Sequence, residues 1–457
     1  MSFVRVLKIA LSIFFGAFAG IVFAHEDGVG AWQKIDVAGV TYQVTDGNGV
    51  ARQIAPSCSG GPVCKPDRVT GQPSCRAGNK QFSFYFKPGK EKKLLVFFDG
   101  GGACWNSSTC ITGAQTPLPA FIPELNPNSD PRNTGGLFDI KNKANPYRDW
   151  GMAVIPYCTG DIHWGSKDTS YTDFTGAVTG VAGGQTTIHH RGFDNFLYVR
   201  EWLKKRYSAD SDEDENENEN ENEDESPIKK LLVTGSSAGA YGAAFAYPHL
   251  KQAFPNAKGY LLGDGGNGVI TDSFLQQAIQ GDGSWGISQN LAHWVPGMDA
   301  LTTAAADRFV ESFYLALAEY YRGDRFSQYT TRWDAVQTLF YNIMLNQNNI
   351  PAWGQLTPSV YGAWAYQMLN HLSVTSTSPN YRYYVGEGCN HTALRFSDDF
   401  YKTNSTQAVN FLSWFKALTK EEHGGYPSAW QNSYCVGCET PPTQQAVSAC
   451  FQRSFAR

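Results

Sequence analysis

The chain has 457 residues, 42% hydrophobic and 14% aromatic, with only 17% charged side chains; that is enough apolar material for a large core and excludes wholesale disorder. Beyond the N-terminus no apolar run reaches the ~20 residues of a membrane-spanning helix, which excludes a polytopic membrane protein. The net charge is −5, but positions 210–226 hold 11 of the 42 acidic residues, and removing them turns −5 into +6 with no concentration of Lys and Arg suited to nucleic acid.

Residues 1–24 read as an export signal: Arg5 and Lys8, an apolar stretch from Ile9 to Val22, then Val22-Phe23-Ala24 before His25-Glu26-Asp27. The apolar part is 14 residues, short for a bilayer span; an uncleaved anchor is the alternative. The expected location is therefore secreted or periplasmic. Ten cysteines fit an oxidising destination, and their even number argues for disulfides whose pairing the sequence leaves open. Cys435-Val436-Gly437-Cys438 has redox or zinc spacing, but it stands in a Gly/Pro-rich tail without a second matching pair and reads as a bridged loop.

Along the chain, short Val/Ile/Tyr/Phe-rich runs alternate with longer helix-like stretches, which predicts a mostly parallel sheet covered by helices. Strands are expected at Leu94–Asp99, Met152–Tyr157, Leu231–Thr234, Gly259–Gly263, Ser327–Thr331 and Tyr381–Val385. Helices are expected at Phe193–Tyr207, Ala238–Leu250, Ser273–Gln280, Ala304–Tyr321, Ala335–Leu345, Tyr361–Leu369 and Gln407–Leu418. The acidic tract 210–226 falls between a helix and a strand and reads as a hydrated, disordered loop. Nothing resembles an interdomain linker, so residues 25–457 are expected to form one domain with insertions.

The strand Leu231–Thr234 runs into Gly235-Ser236-Ser237-Ala238-Gly239 and then a small-residue helix. Gly-x-Ser-x-Gly in that setting is a nucleophile elbow, a strained turn whose glycines let neighbouring backbone pass and whose serine sits at a helix N-terminus. Ser237 is the candidate nucleophile; a turn in which it merely caps the helix is the bland alternative. Upstream, Leu94–Asp99 ends in Gly100-Gly101-Gly102, the place from which such enzymes offer backbone N–H groups to an oxyanion, with Ala238 as a second donor.

The order Ser…Asp/Glu…His expects a late histidine after the last strand. His391, in Gly386-Glu387-Gly388-Cys389-Asn390-His391, fits better than His371 or His423. Two aspartates follow strands between Ser237 and His391. Asp334 is the preferred acid, and Asp264 is the alternative or a supporting group that accepts loop N–H bonds near the elbow.

Two rival readings carry less. Gly263-Asp264-Gly265-Gly266-Asn267-Gly268 matches a dinucleotide fingerprint, but it lies deep in an exported chain. Asp161-Ile162-His163 with His189-His190 offers metal-ligating side chains without a helical His-x-x-x-His spacing, and reads as a polar loop.

Taken together, Phe98–Trp105, Pro156–Asp161, Gly235–Gly239 and Tyr329–Gln337 resemble the pectin acetylesterase/Notum family of secreted serine carboxylesterases over roughly residues 90–400. The resemblance implies an α/β-hydrolase fold and ester hydrolysis without metal or organic cofactor. Carried over by position it implies Ser237, Asp334 and His391 as the triad and Gly101, Gly102 and Ala238 as oxyanion donors. The acid before the glycines is Asp99, where the family has Glu, and the nearby Trp is displaced to Trp105. The implied substrate is an O-acyl ester, expected to be an acetylated polysaccharide such as pectin acted on by a monomer. Lipid, acyl-protein or polyester substrates are the alternatives, with a non-catalytic glycan-binding scaffold using its 12 Trp and 23 Tyr as a different class.

Overall fold

The computed structural model describes residues 30–67, 72–117, 119–209, 228–403, 409–422 and 425–455. The expected export signal, the acidic tract and His423 lie outside the described residues.

Eight strands form one sheet: β1 (Gln33–Asp36), β2 (Ser83–Lys87), β3 (Lys93–Phe98), β4 (Gly151–Ile155), β5 (Lys230–Ser236), β6 (Lys258–Asp264), β7 (Arg325–Thr331) and β8 (Tyr381–Gly386). They lie side by side as β1-β2-β4-β3-β5-β6-β7-β8. β1 and β2 pair antiparallel with their neighbours, and all remaining pairs are parallel. The register sets Gly235 beside Phe98, Ser236 beside Asp264, and Thr331 beside Gly386. The carboxyl ends of β3, β5, β6, β7 and β8 therefore open onto one rim, where ligands of parallel sheets bind.

Successive side chains on a strand point to opposite faces, and both faces are covered. Leu94, Val96 and Phe98 of β3 and Leu231 and Val233 of β5 pack in one cluster with residues of α1 (Gly192–Ala209), α2 (Ala238–Ala253), α3 (Ala306–Tyr320) and α5 (Pro358–Thr375). Leu95, Phe97, Leu232 and Leu262 pack in the other, with Phe411, Trp414 and Phe415 of α6 (Phe411–Leu418). Strands buried on both sides read as continuous apolar runs rather than as alternation. The result is a three-layer arrangement of α/β-hydrolase type, with α4 (Ala335–Leu345) following β7 and α7 (Gln444–Phe455) near the C-terminus.

The six strands expected from sequence are all present, and α4 has the expected bounds. β1 and β2 were not anticipated, because antiparallel neighbours need no crossover helix and so escape a search for strand–helix alternation. The helix expected at Ser273–Gln280 is a single α-turn, Asp272–Phe274, continuing in wider π-type turns over Leu275–Ile279. The helix expected from Gln407 starts at Phe411, where the Asn410 side chain accepts the Ser413 N–H at 2.8 Å.

All ten cysteines are paired: Cys58–Cys158, Cys64–Cys75, Cys104–Cys110, Cys389–Cys450 and Cys435–Cys438. Cys435 and Cys438 thus close a bridged loop. Among the described residues, no helix is long and apolar enough to cross a membrane.

Candidate active site

β5 ends at Ser236, and the next residue has φ 59° and ψ −124° before α2 begins at Ala238. A non-glycine residue at positive φ costs free energy unless its surroundings enforce it. The two flanking glycines show what does so. A Cβ on Gly235 would lie 2.2 Å from the Gly239 carbonyl oxygen, and one on Gly239 would lie 2.0 Å from that of Phe98. Close approach of β5, α2 and β3 thus holds Ser237 on its turn. Its backbone N–H donates to the Asp264 carbonyl at 2.7 Å, and its side chain makes no helix-capping bond.

His391 follows β8 and comes to the same rim. Its Nδ1 lies 2.8 Å from Oδ2 and 3.0 Å from Oδ1 of Asp334, which sits fully buried just after β7. The Asp334 carboxylate also accepts the N–H groups of Val336 (3.0 Å) and Gln337 (2.9 Å) at the start of α4, and the Gln337 side-chain amide at 2.9 Å. These donors solvate a carboxylate that water cannot reach. An acceptor on the Nδ1 side leaves Nε2 as the free lone pair of a neutral ring. His391 Nε2 is buried without a hydrogen-bond partner, and His391 and Ser237 border the same two cavities.

Asp264 lies elsewhere in the same cluster. Its carboxylate accepts the Ser236 hydroxyl at 2.6 Å and the backbone N–H groups of Ala393 (2.9 Å) and Leu394 (3.0 Å). It binds the elbow to the loop carrying His391 but makes no hydrogen bond to the imidazole. Burial pushes its acid up to about 6.

Gly100, Gly101 and Gly102 follow β3 and pass beside the elbow; a Cβ on Gly100 would be 2.7 Å from that of Ser237. Gly102 has φ +80° and a Cβ on it would lie 2.0 Å from the Ala120 carbonyl oxygen, so a side chain there meets both strain and a clash. Among the described residues the N–H groups of Gly101, Gly102 and Ala238 have no acceptor.

The first cavity is bordered by Ser237 and His391. Its wall is apolar, with Trp164, Ile270, Phe274, Val310, Phe340 and Trp364 prominent. The second, larger cleft also borders Ser237 and His391, and its wall mixes apolar side chains such as Phe121, Ile122 and Leu339 with Asn126, Asn133 and Arg395. Gly102, Val336 and Phe340 border both. The apolar cavity draws on residues from 102 to 391, and no local motif announces it.

The rival motifs have other work. Gly265 and Gly268 are at φ +73° and +72°, where the chain turns beneath the His391 ring and against Val310. Buried Asp161 accepts the Thr159 hydroxyl and the N–H groups of His163 and Gly192. Burial keeps His163 and His190 neutral, at about 4 and about 3. Cys104, Cys110 and His190 alone gather within metal-ligating distance among the described residues, but both sulfurs are spent in a disulfide.

No family model matches the chain. A stretch of 94 residues, 20% of this chain, is 32% identical to the palmitoleoyl-protein carboxylesterase NOTUM of Schmidtea mediterranea. The chain is similar to a Notum carboxylesterase. It spans only 17% of that protein's length. Two crystal forms of the Wnt deacylase Notum from Drosophila align with TM-scores of 0.45 and 0.46 and identities of 14% and 13%. Those alignments cover 84% and 90% of this chain and 99% and 100% of the Notum chains.

Proposed function

We propose that this protein is an exported serine carboxylesterase that hydrolyses O-acyl esters through an acyl-Ser237 intermediate. The observation carrying the reading is a serine on a strained strand-to-helix turn that shares its cavity walls with His391, whose Nδ1 is held by Asp334. In the proposed reaction His391 Nε2 takes the Ser237 hydroxyl proton as the oxygen attacks the ester carbonyl. The carbonyl oxygen gains the negative charge, offset by the N–H groups of Gly101, Gly102 and Ala238. Asp334 keeps the imidazole oriented and offsets its positive charge. The C–O bond to the alcohol then breaks as His391 returns the proton to that oxygen. Water, deprotonated by His391, attacks the acyl-enzyme and frees the acid and Ser237.

The apolar cavity favours an acyl group of several carbons over acetyl, because each methylene buried there is worth about 0.8 kcal/mol. The similarity to a palmitoleoyl-protein carboxylesterase supports the same direction. The larger, mixed cleft suits the alcohol side, and the amides and hydroxyls within its wall are the feature favouring a second reading, a deacetylase of acetylated polysaccharide. A p-nitrophenyl ester series from acetate to octanoate, with acetate release from acetylated pectin in parallel, separates the two. Rising kcat/KM with chain length and no release from pectin supports the first reading. Near wild-type hydrolysis by purified Ser237→Ala refutes both.

A further inference from the structure

We infer that Arg395 and Asp99 form a positioning pair that locks the oxyanion-loop glycines to the loop carrying His391. The inference rests on the esterase reading above and adds two residues that touch no reacting atom.

Asp99 is the residue before Gly100-Gly101-Gly102, and it is buried with three anchors. Its N–H donates to the Ile155 carbonyl of β4 at 2.9 Å. His163 Nε2–H donates to its carbonyl oxygen at 2.8 Å, the direction required by a carbonyl acceptor and a neutral ring. Its Oδ1 accepts the Gly100 N–H at 2.9 Å, and the same oxygen accepts Nη1 of Arg395. The carboxylate therefore fixes the first peptide of the glycine loop, and the guanidinium fixes the carboxylate.

Arg395 stands four residues after His391, and its Nη2 donates to the Asn128 carbonyl at the larger cleft. The intervening Ala393 and Leu394 N–H groups are held by Asp264, which also binds the Ser236 hydroxyl and the Ser237 N–H. The His391 loop is thus fastened twice: to the elbow through Asp264, and to the oxyanion loop through Arg395. A charge-assisted bond between largely buried partners is strong and directional. Three glycines in succession have little intrinsic conformational preference, so the loop must be held from outside. The Ile122 N–H donates to the Gly101 carbonyl at 2.9 Å and the Ala103 N–H to that of Ala120 at 2.9 Å on its far side, and Asp99 with Arg395 holds its entry at Gly100.

The test measures Arg395→Met, Arg395→Lys, Asp99→Asn and the double variant Arg395→Met/Asp99→Asn on p-nitrophenyl butyrate, with thermal melting of each. A boronic acid inhibitor is included because its tetrahedral adduct places an oxygen where the oxyanion forms. Arg395→Met is expected to lower kcat about 100-fold, the scale of a misplaced reacting group. KM should stay within about twofold, and the boronate inhibition constant should rise in parallel with the loss in kcat/KM. Arg395→Lys recovers part of kcat, and the double variant is little worse than the worse single one. An unchanged kcat, a loss confined to KM, or an unchanged boronate constant overturns the inference. If Arg395→Met melts below assay temperature, Arg395→Lys and Asp99→Asn carry the same criteria. Failure here with Ser237→Ala inactive removes only the positioning pair; activity in Ser237→Ala removes the esterase reading itself.

Discussion

The His391 ring and the Asp334 carboxylate meet across the ends of β8 and β7, with Nδ1 2.8 Å from one carboxylate oxygen and 3.0 Å from the other. Asp264, at the end of the next strand, faces the backbone of the same histidine loop instead. Asp334→Asn is therefore expected to lower kcat on the order of 1,000-fold or more, with some loss of stability because its new NH₂ opposes a donor such as the Gln337 side-chain amide. Asp264→Asn is expected to lower stability by about 2–3 kcal/mol, since the new NH₂ opposes at least one donor, with a smaller loss of kcat. Measuring kcat and Tm for both variants checks this; the reverse pattern would exchange their roles.

Gly239→Ala is expected to destabilise by about 3 kcal/mol or more, because its Cβ would sit 2.0 Å from the Phe98 carbonyl oxygen and backbone cannot step aside cheaply. Denaturant unfolding of the variant tests it, and a loss below about 1 kcal/mol would show that the close approach of α2 to β3 is wrong.

Ile270→Trp is expected to fill the apolar cavity and reverse any preference for long acyl chains. Each methylene excluded from burial costs about 0.8 kcal/mol, so kcat/KM for the octanoate ester should fall at least tenfold while that for acetate changes little. Equal loss on both esters would separate this cavity from acyl binding.

Cys389 stands two residues before His391 and is bonded to Cys450 in α7, closing a sequence separation of 61. The loop entropy lost from the unfolded chain corresponds to about 4 kcal/mol. The double variant Cys389→Ser/Cys450→Ser should show that loss in denaturant titration, and a lower kcat because the histidine loop is freed at one end.

Acid stability follows from buried groups. Burial holds His163 at about 4 and His190 and His249 at about 3, below the ordinary value near 6.5. Their contribution is present above about pH 6.5 and is lost as pH falls toward 4. Burial raises Asp161 and Asp264 to about 6, and their contribution runs the other way, present at low pH and lost as pH rises through 6. Burial lowers His371 as well, so between pH 6 and 4 the buried histidines outweigh the two aspartates and these groups make stability fall on acidification. His249→Gln, which can still donate to the Asn290 carbonyl now facing Nε2, should make that slope shallower. Denaturant unfolding at pH 6, 5 and 4 measures it; an unchanged slope would refute the assignment.

Local signals were strong where chemistry demands a special backbone. The elbow was legible because a β-branched strand, two obligatory glycines and a small-residue helix are consecutive, and each has its own conformational preference. Most of the parallel strands were legible because burial on both faces makes them largely apolar, whereas β7 is buried throughout yet carries Arg325, Ser327, Gln328 and Thr330 and showed itself through its Tyr and Thr residues. β1 and β2 were not, since their pairing depends on partners far along the chain rather than on an intervening helix. The Arg395–Asp99 contact joins positions 296 residues apart and leaves no pattern in either neighbourhood.

The amino-acid order by itself determined the elbow at Ser237, the glycine loop after β3, the late histidine and an even set of cysteines, all consequences of short-range backbone and side-chain preferences. Tertiary structure alone decided which of two strand-end aspartates faces the imidazole, which cysteines pair, and that scattered apolar residues enclose one cavity beside Ser237. Those outcomes depend on strand register and layer packing, which set distances between residues that the linear chain keeps far apart.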